Sequence, residues 1–144
     1  MKKKSKSHVI GRNDIIDLPQ LDLYDLPAKV DTGAYTSALN YKSWELKDHE
    51  LVITFEIEKG KTKTFSTREY SQKVIRNSFG QAEKRYIIKT DVEIFGEIYP
   101  TEFSLSKRKA LKFPVLLGRK FLKDHFMVDV NRYKLSYKKK LENA

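Results

Sequence analysis

The chemistry open to this chain is narrow. It contains no cysteine, which removes thiolate nucleophiles, thiolate zinc sites and disulfide frameworks together. Its histidines, His8, His49 and His125, lie far apart and form no i,i+4 pair, so each reads as a lone core or surface histidine. There is no G-x-x-x-x-G-K-[ST] phosphate loop, no H-E-x-x-H and no G-x-S-x-G elbow. No metal, ATP or other cofactor is therefore expected. What stands out is Ala28-Lys29-Val30-Asp31-Thr32-Gly33-Ala34, one carboxylate at the end of an apolar strand, followed at once by Thr and Gly. A turn that needs glycine holds such an aspartate rigidly and exposes it to a cleft. The plainer role for the same residue is to cap its own turn through the backbone. Downstream, Val115-Leu116-Leu117-Gly118-Arg119 is a second apolar strand ended by glycine, ahead of a short helix.

The elements that must position these two pieces are mostly strands. His8–Ile16 reads as a first strand with Gly11 as a bulge. Leu51–Glu58 alternates, with Leu51, Ile53, Phe55 and Ile57 on one face, and Lys61–Thr67 follows a Lys-Gly turn as its hairpin partner. Lys73–Arg76, Tyr86–Phe95, Ile98–Leu105 and Phe113–Leu117 are further strands, and Phe126–Asp129 with Lys134–Tyr137 reads as a closing hairpin. Only Ser37–Leu46 and Arg119–Asp124 suggest helix. The pattern is all-β, a barrel or a closed sandwich.

Length suits one domain: 144 residues bury about two-thirds of the unfolded surface. A 40% hydrophobic content rules out general disorder, and no apolar run approaches the roughly 18 residues of a membrane helix. We expect a flexible basic tail over 1–7, a single domain over 8–137, a basic C-terminal tail over 138–144, and a soluble, cytoplasmic protein. The formal charge is +10 and uneven. Lys59 to Lys89 holds nine basic residues against Glu69 and Glu83, Lys107 to Lys123 holds seven and no acid, and Asp14 to Asp31 holds five aspartates. The two basic segments are either unrelated solvated faces or one converged surface, whose partner would be acidic.

The two motifs, in order, resemble those of the retropepsin-like aspartic proteases. In that family a D-T-G-[AS] loop carries the catalytic Asp, and a later hydrophobic-hydrophobic-Gly strand crosses behind it before an Arg and a helix. Ile10-Gly11-Arg12, Asp17-Leu18-Pro19, Ala28 through Leu39, Ser78-x-Gly80-x-x-Glu83-x-Arg85 and Pro114 through Leu122 extend the likeness over roughly residues 8–137. They resemble one bacterial and archaeal family, usually labelled an ATP-dependent zinc protease and described as retropepsin-like. The resemblance implies a closed acid-protease-like β-barrel with one short helix after the second motif, formed by Leu117, Gly118 and Arg119.

It further implies that Asp31 is catalytic and, because the chain has one D-T-G, that a homodimer supplies the second carboxylate. The two Asp31 groups would share one proton and titrate as a unit. Thr32 would bond across the two-fold axis and Gly33 would admit substrate backbone. Ala34 offers no hydroxyl to the carboxylates, so the working pH should lie nearer neutral. The flap candidate is Lys73–Tyr86, with Asn77-Ser78-Phe79-Gly80 at its tip and Arg76, Lys84 and Arg85 flanking the cleft. Viral members carry Asp-Asp after D-T-G-A, the first of which pairs with the Arg of the second motif. Tyr35-Thr36 stands there here, so Arg119 needs another partner: Asp124, Asp129 or a substrate carboxylate. Some relatives sit beside ligases that add glutamates to proteins, which implies trimming or binding of glutamate-rich tails.

Three functions follow: an aspartic-type peptidase acting on acidic peptides, a non-catalytic module of the same fold binding acidic protein tails, or a nucleic-acid-binding barrel using Phe65, Tyr70, Phe79 and Tyr86. Strand aromatics more often fill cores. The expected partners are thus a second copy of the chain and an acidic peptide or protein, with neither membrane nor nucleic acid among them.

Overall fold

The longest strand shows how the core is made. In β9 (Ala82–Ile94) Tyr86, Ile88, Thr90, Val92 and Ile94 are buried, while the alternate positions Arg85, Lys89, Asp91 and Glu93 keep solvent contact. That period of two puts one face inward. A two-residue turn, Phe95-Gly96, with both residues at positive φ (55° and 71°), reverses the chain into β10 (Glu97–Ser106). The structure, a computed structural model, describes residues 8–76, 80–107 and 113–144, without the side chains of Ile57, Glu58 and Arg76.

In chain order the earlier strands are β1 (His8–Ile10), β2 (Asn13–Leu18), β3 (Leu23–Val30), β4 (Ser37–Asn40), β5 (Ser43–Lys47), β6 (Glu50–Glu58), β7 (Lys61–Thr67) and β8 (Ser71–Arg76). After β10 come β11 (Val115–Leu117), helix α1 (Arg119–Leu122), β12 (Phe126–Val128) and helix α2 (Leu135–Glu142). A seven-stranded sheet runs β10-β4-β11-β3-β2-β9-β8, and β9 pairs again with β10. Six of these strands therefore close into a barrel, and β8 extends β9 as a hairpin. Fully buried Ile16, Leu18, Leu39, Val92, Phe103 and Leu117 fill it. The mostly β, closed-barrel fold is the expected one. A separate sheet, β5-β6-β7, is inserted between β4 and β8. It covers the barrel with the buried face of β6, Leu51, Ile53 and Phe55.

Three expectations need correction. Ser37–Leu46 is not helical. Ser37, Ala38 and Leu39 are buried in β4, which pairs with β10 on one side and β11 on the other, so tertiary pairing overrides local propensity. His8–Ile16 is two strands. β1 pairs in parallel with β12, β2 pairs with β3, and Gly11 lies between them, where a Cβ would stand 2.3 Å from the Arg132 carbonyl oxygen.

Lys134–Tyr137 is not a strand. It opens α2, which continues through residues assigned to a basic tail. The buried Asp14 carboxylate accepts the N–H groups of Ser136 at 2.9 Å and Tyr137 at 3.1 Å, capping the helix from β2. Burial raises the Asp14 carboxyl above its ordinary range, against the lowering effect of the Ser136, Ile15 and Tyr137 N–H groups. Lys140 holds the helix to Asp17 at 3.2 Å. No helix among the described residues is long and apolar enough to cross a membrane.

Candidate active site at the Asp31 loop

β3 and β11 run in parallel with Val30 beside Leu117. Each strand ends there. The Asp31 N–H donates to the Leu117 carbonyl at 2.9 Å, so the two motifs leave the barrel side by side. The Asp31 carboxylate accepts the Gly33 N–H at 3.1 Å, and Ala34 N–H reaches the Asp31 carbonyl at 3.2 Å. The turn-capping role is thus present. It occupies one oxygen of a carboxylate that remains half-exposed, beside exposed Thr32 and Gly33.

The second motif braces this loop from behind. Arg119 N–H donates to the Ala34 carbonyl at 2.8 Å, Lys120 N–H to that of Tyr35 at 2.9 Å, and Gly118 N–H to Ser37 Oγ at 3.0 Å. Gly118 is obligatory at this crossing, since a Cβ there would fall 2.7 Å from the Tyr35 carbonyl oxygen and 2.9 Å from that of Ala34. Arg119 is not paired with Asp124 or Asp129. Its guanidinium donates to the Thr32 carbonyl at 3.0 Å and lies over the Tyr35 ring at 5.7 Å. An aromatic face and a carbonyl do here what a carboxylate does in the viral pattern.

A pocket of about 440 Å³ adjoins the loop. Ala34, Tyr35 and Thr36 form one wall, Ile75 and Arg85 of the β8–β9 hairpin the other, and Ala38, Ser104, Ser106 and Leu116 the floor. The hairpin expected as a flap does reach the Asp31 loop. Arg85 Nη2 lies 3.3 Å from Glu83, its side chain is 24% exposed, and its Nε has no hydrogen-bond partner. Lys84 does not line this pocket. Alternation puts it on the other face of β9, and it lines a second hollow with Tyr41 and Trp44, to which Arg85 also contributes. Gly80 is exposed at φ +81°. Ser78, Phe79 and the Arg76 side chain lie outside the described residues.

Sequence reasoning missed Tyr35 as the partner of Arg119, and it missed Ser104 and Ser106 as floor. The signal for the serines was present: they occupy the outward positions of a strand whose Phe103 and Leu105 face the core. Of the aromatics offered as base-stacking platforms, the three described, Phe65, Tyr70 and Tyr86, are packing groups. Tyr86 meets Tyr70 and Trp44 edge-on at 5.5 and 4.8 Å, and Phe65 packs on the core. The two basic segments do converge. Lys120 lies 2.9 Å and Lys73 3.7 Å from Glu102, and Lys89 is its cross-strand partner. The Lys120 hydrogen bond, with the charges of all three lysines, holds the Glu102 carboxyl below its ordinary range. Among the described residues, no three His, Asp or Glu side chains gather to hold a metal ion.

A closed β-barrel whose aspartate loop is crossed from behind by an apolar-Gly strand defines an acid-protease-like protein. A family model described as "RimB-like: Retropepsin-like aspartic endopeptidase RimB" matches residues 9–139, and the chain belongs to that family. The description names an aspartic endopeptidase and neither zinc nor ATP. The chain is 30% identical over 129 residues to a probable alpha-L-glutamate ligase of Desulfotalea psychrophila, covering 84% of this chain and 28% of the ligase. It is 31% identical over the same length to one of Parasynechococcus marenigrum, with the same coverage. The chain thus spans little more than a quarter of these relatives. A crystal structure of Lpg0085 from Legionella pneumophila, a protein of unknown function, superposes with a TM-score of 0.76 at 22% identity, covering 91% of this chain and 99% of that one. That likeness concerns the fold.

Proposed function

We propose that the chain is an aspartic peptidase that acts on acidic, glutamate-rich peptide segments and completes its site by pairing two copies through their Asp31 loops. The observation that carries this reading is the braced, half-exposed Asp31 carboxylate beside a pocket entered by Arg85. One carboxylate per chain is half of the machinery, and a two-fold axis at the loop supplies the other half. In the pair, one Asp31 takes a proton from the water that attacks the peptide carbonyl carbon, and its protonated twin donates to the carbonyl oxygen. The amine leaves with a proton as the C–N bond breaks. Thr32 and Gly33, exposed at the apex, are the residues placed to meet the second copy and the substrate backbone.

Arg85 is the substrate-selecting group. Its unpartnered Nε and half-used guanidinium favour a carboxylate in the pocket. Support also comes from relatives named as probable glutamate ligases, which carry a stretch similar to this chain within a longer protein.

Asp31→Asn should abolish cleavage of polyglutamate and casein while leaving the circular dichroism spectrum and unfolding midpoint unchanged. Cleavage that survives the substitution would sink the aspartic mechanism. A second reading rests on β1, which is paired with β12 of its own chain and so is not free to exchange with a copy. On that reading a single chain binds acidic tails without cutting them. Light scattering at two concentrations separates the two, since only the peptidase requires a dimer.

A further inference from the structure

β9 is open along part of one edge. β10 pairs with it from Ile87 to Ile94. On the opposite edge β8 pairs with residues 82–87, and β2 pairs with it only at Glu93. Residues 88–92 therefore face a gap in the wall. Backbone groups of a strand alternate in direction, and two observations set the phase here. Asp91 N–H donates across the gap to Gln20 Oε1 at 2.8 Å, and Asp91 stands opposite Pro100, which has no N–H to give. Odd-numbered residues thus aim N–H and C=O at the gap, and Lys89 presents both. No described residue bonds either of them.

The gap is roomy and its chemistry is mixed. A pocket of about 680 Å³ fills it, lined by Phe65, Thr67, Tyr70 and Ile88. A neighbouring hollow of about 460 Å³ shares Lys89 and Glu102 and adds Lys120. Glu69 and Asp91 also face this space. The positive end is the trio of Lys73, Lys89 and Lys120 around Glu102. Glu102 is taken up by Lys120 and Lys73, whereas Lys89 makes no ion pair with a described residue. The gap and the Asp31 pocket lie along the same pair of strands. Arg85 and Lys89 share one face of β9, as Ser104 and Glu102 share one face of β10. Four residues at about 3.4 Å each separate the two ends by about 14 Å, the reach of an extended peptide of about four residues.

We propose that this gap is a second docking site for the substrate. An extended acidic segment lies there as an added strand on Lys89, with its carboxylates among Lys73, Lys89 and Lys120. The inference rests on the acidic-substrate reading above and extends it. The protein selects long acidic chains over short ones, because only a chain running about four residues beyond the Arg85 pocket engages both sites.

The test uses the Asp31→Asn protein, so that binding is read without cleavage. Fluorescein-labelled triglutamate, octaglutamate and octaglutamine are titrated and followed by anisotropy. Octaglutamate should bind about tenfold or more tightly than triglutamate, and octaglutamine should gain little. Lys89→Glu should remove the gain and leave triglutamate binding as it was. Lys89→Ala, which removes charge without reversing it, should give a smaller loss in the same direction. The Lys89 amide should exchange more slowly when octaglutamate is bound. Equal affinity for the short and long acids, or octaglutamate binding untouched by both substitutions, overturns the proposal. Length preference in a protein that never cleaves overturns only the peptidase reading. Equal cleavage of both acids by the Asp31-containing protein and by its Lys89→Glu variant overturns only the docking site.

Discussion

Gly118→Ala is the sharpest test of how the Asp31 loop is held. The added methyl carbon would meet Tyr35 O at 2.7 Å, Ala34 O at 2.9 Å and the Thr36 carbonyl carbon at 2.9 Å. All three are backbone atoms, so no rotamer change relieves the contact. Ordinary clearance is about 3.4 Å or more, and the loop or α1 must therefore retreat by roughly half an ångström or more. Overpacking of this kind costs about 1–3 kcal/mol. Three simultaneous backbone contacts place the cost near the top, about 2–3 kcal/mol. At roughly 3–4 °C per kcal/mol for a chain of this length, the unfolding midpoint should fall by about 6–12 °C.

Gly33→Ala is the control, since its Cβ meets only the Asp31 Oδ1, at 3.4 Å. It should hold the midpoint within about 2 °C, and it should slow any peptidase activity by crowding the carboxylate. Thermal unfolding by circular dichroism reads both proteins. A Gly118→Ala protein that melts with the wild type would show that the crossing strand does not brace the loop.

Two further outcomes follow from the same region. Arg119→Ala removes the bond to the Thr32 carbonyl and the contact over Tyr35. We expect a loss of about 1–2 kcal/mol in urea unfolding and faster amide exchange at Thr32 to Ala34, while unchanged exchange would refute the bracing role. Glu102 has its carboxyl held down by Lys120, so its contribution is present above the ordinary carboxylate range and is lost as pH falls through its lowered value. The stability difference between wild type and Glu102→Gln should therefore shrink below about pH 4.5. A difference that grows on acidification would mean that desolvation outweighs the lysines.

The Asp31 loop and its crossing strand were legible because each is a short local pattern: an apolar run, a glycine, a turn. The β8–β9 hairpin was legible for the same reason, and alternation puts Arg85 on the face of β9 that lines the pocket beside the Asp31 loop. Lys84, its sequence neighbour, had to fall on the other side, which charge counting alone does not register. Tyr35 was read as an absence, a missing aspartate, whereas the fold uses its ring. Helix α2 was illegible locally. Its cap is Asp14, on a strand from the opposite end of the chain, and Lys134 reaches it through a left-handed turn at φ +53°. β4 failed in the reverse direction, because a short run with helical propensity is drawn into the barrel by partners on both sides.

The pairing of β1 with β12 sets a clock on biosynthesis. His8 lies beside Phe126, a partner made 118 residues later. At roughly 5–20 residues per second, the first strand waits about 6–24 s for its neighbour to be polymerised. β2 finds β3 almost at once, and the β9–β10 hairpin closes as it emerges, so the wall is assembled while the first strand still hangs loose. Asp14 likewise remains without its helix until residues 136 and 137 have been added. The last pairings thus wait for residues 126–137, and a nascent chain halted before Phe126 should carry the barrel strands with β1 unpaired.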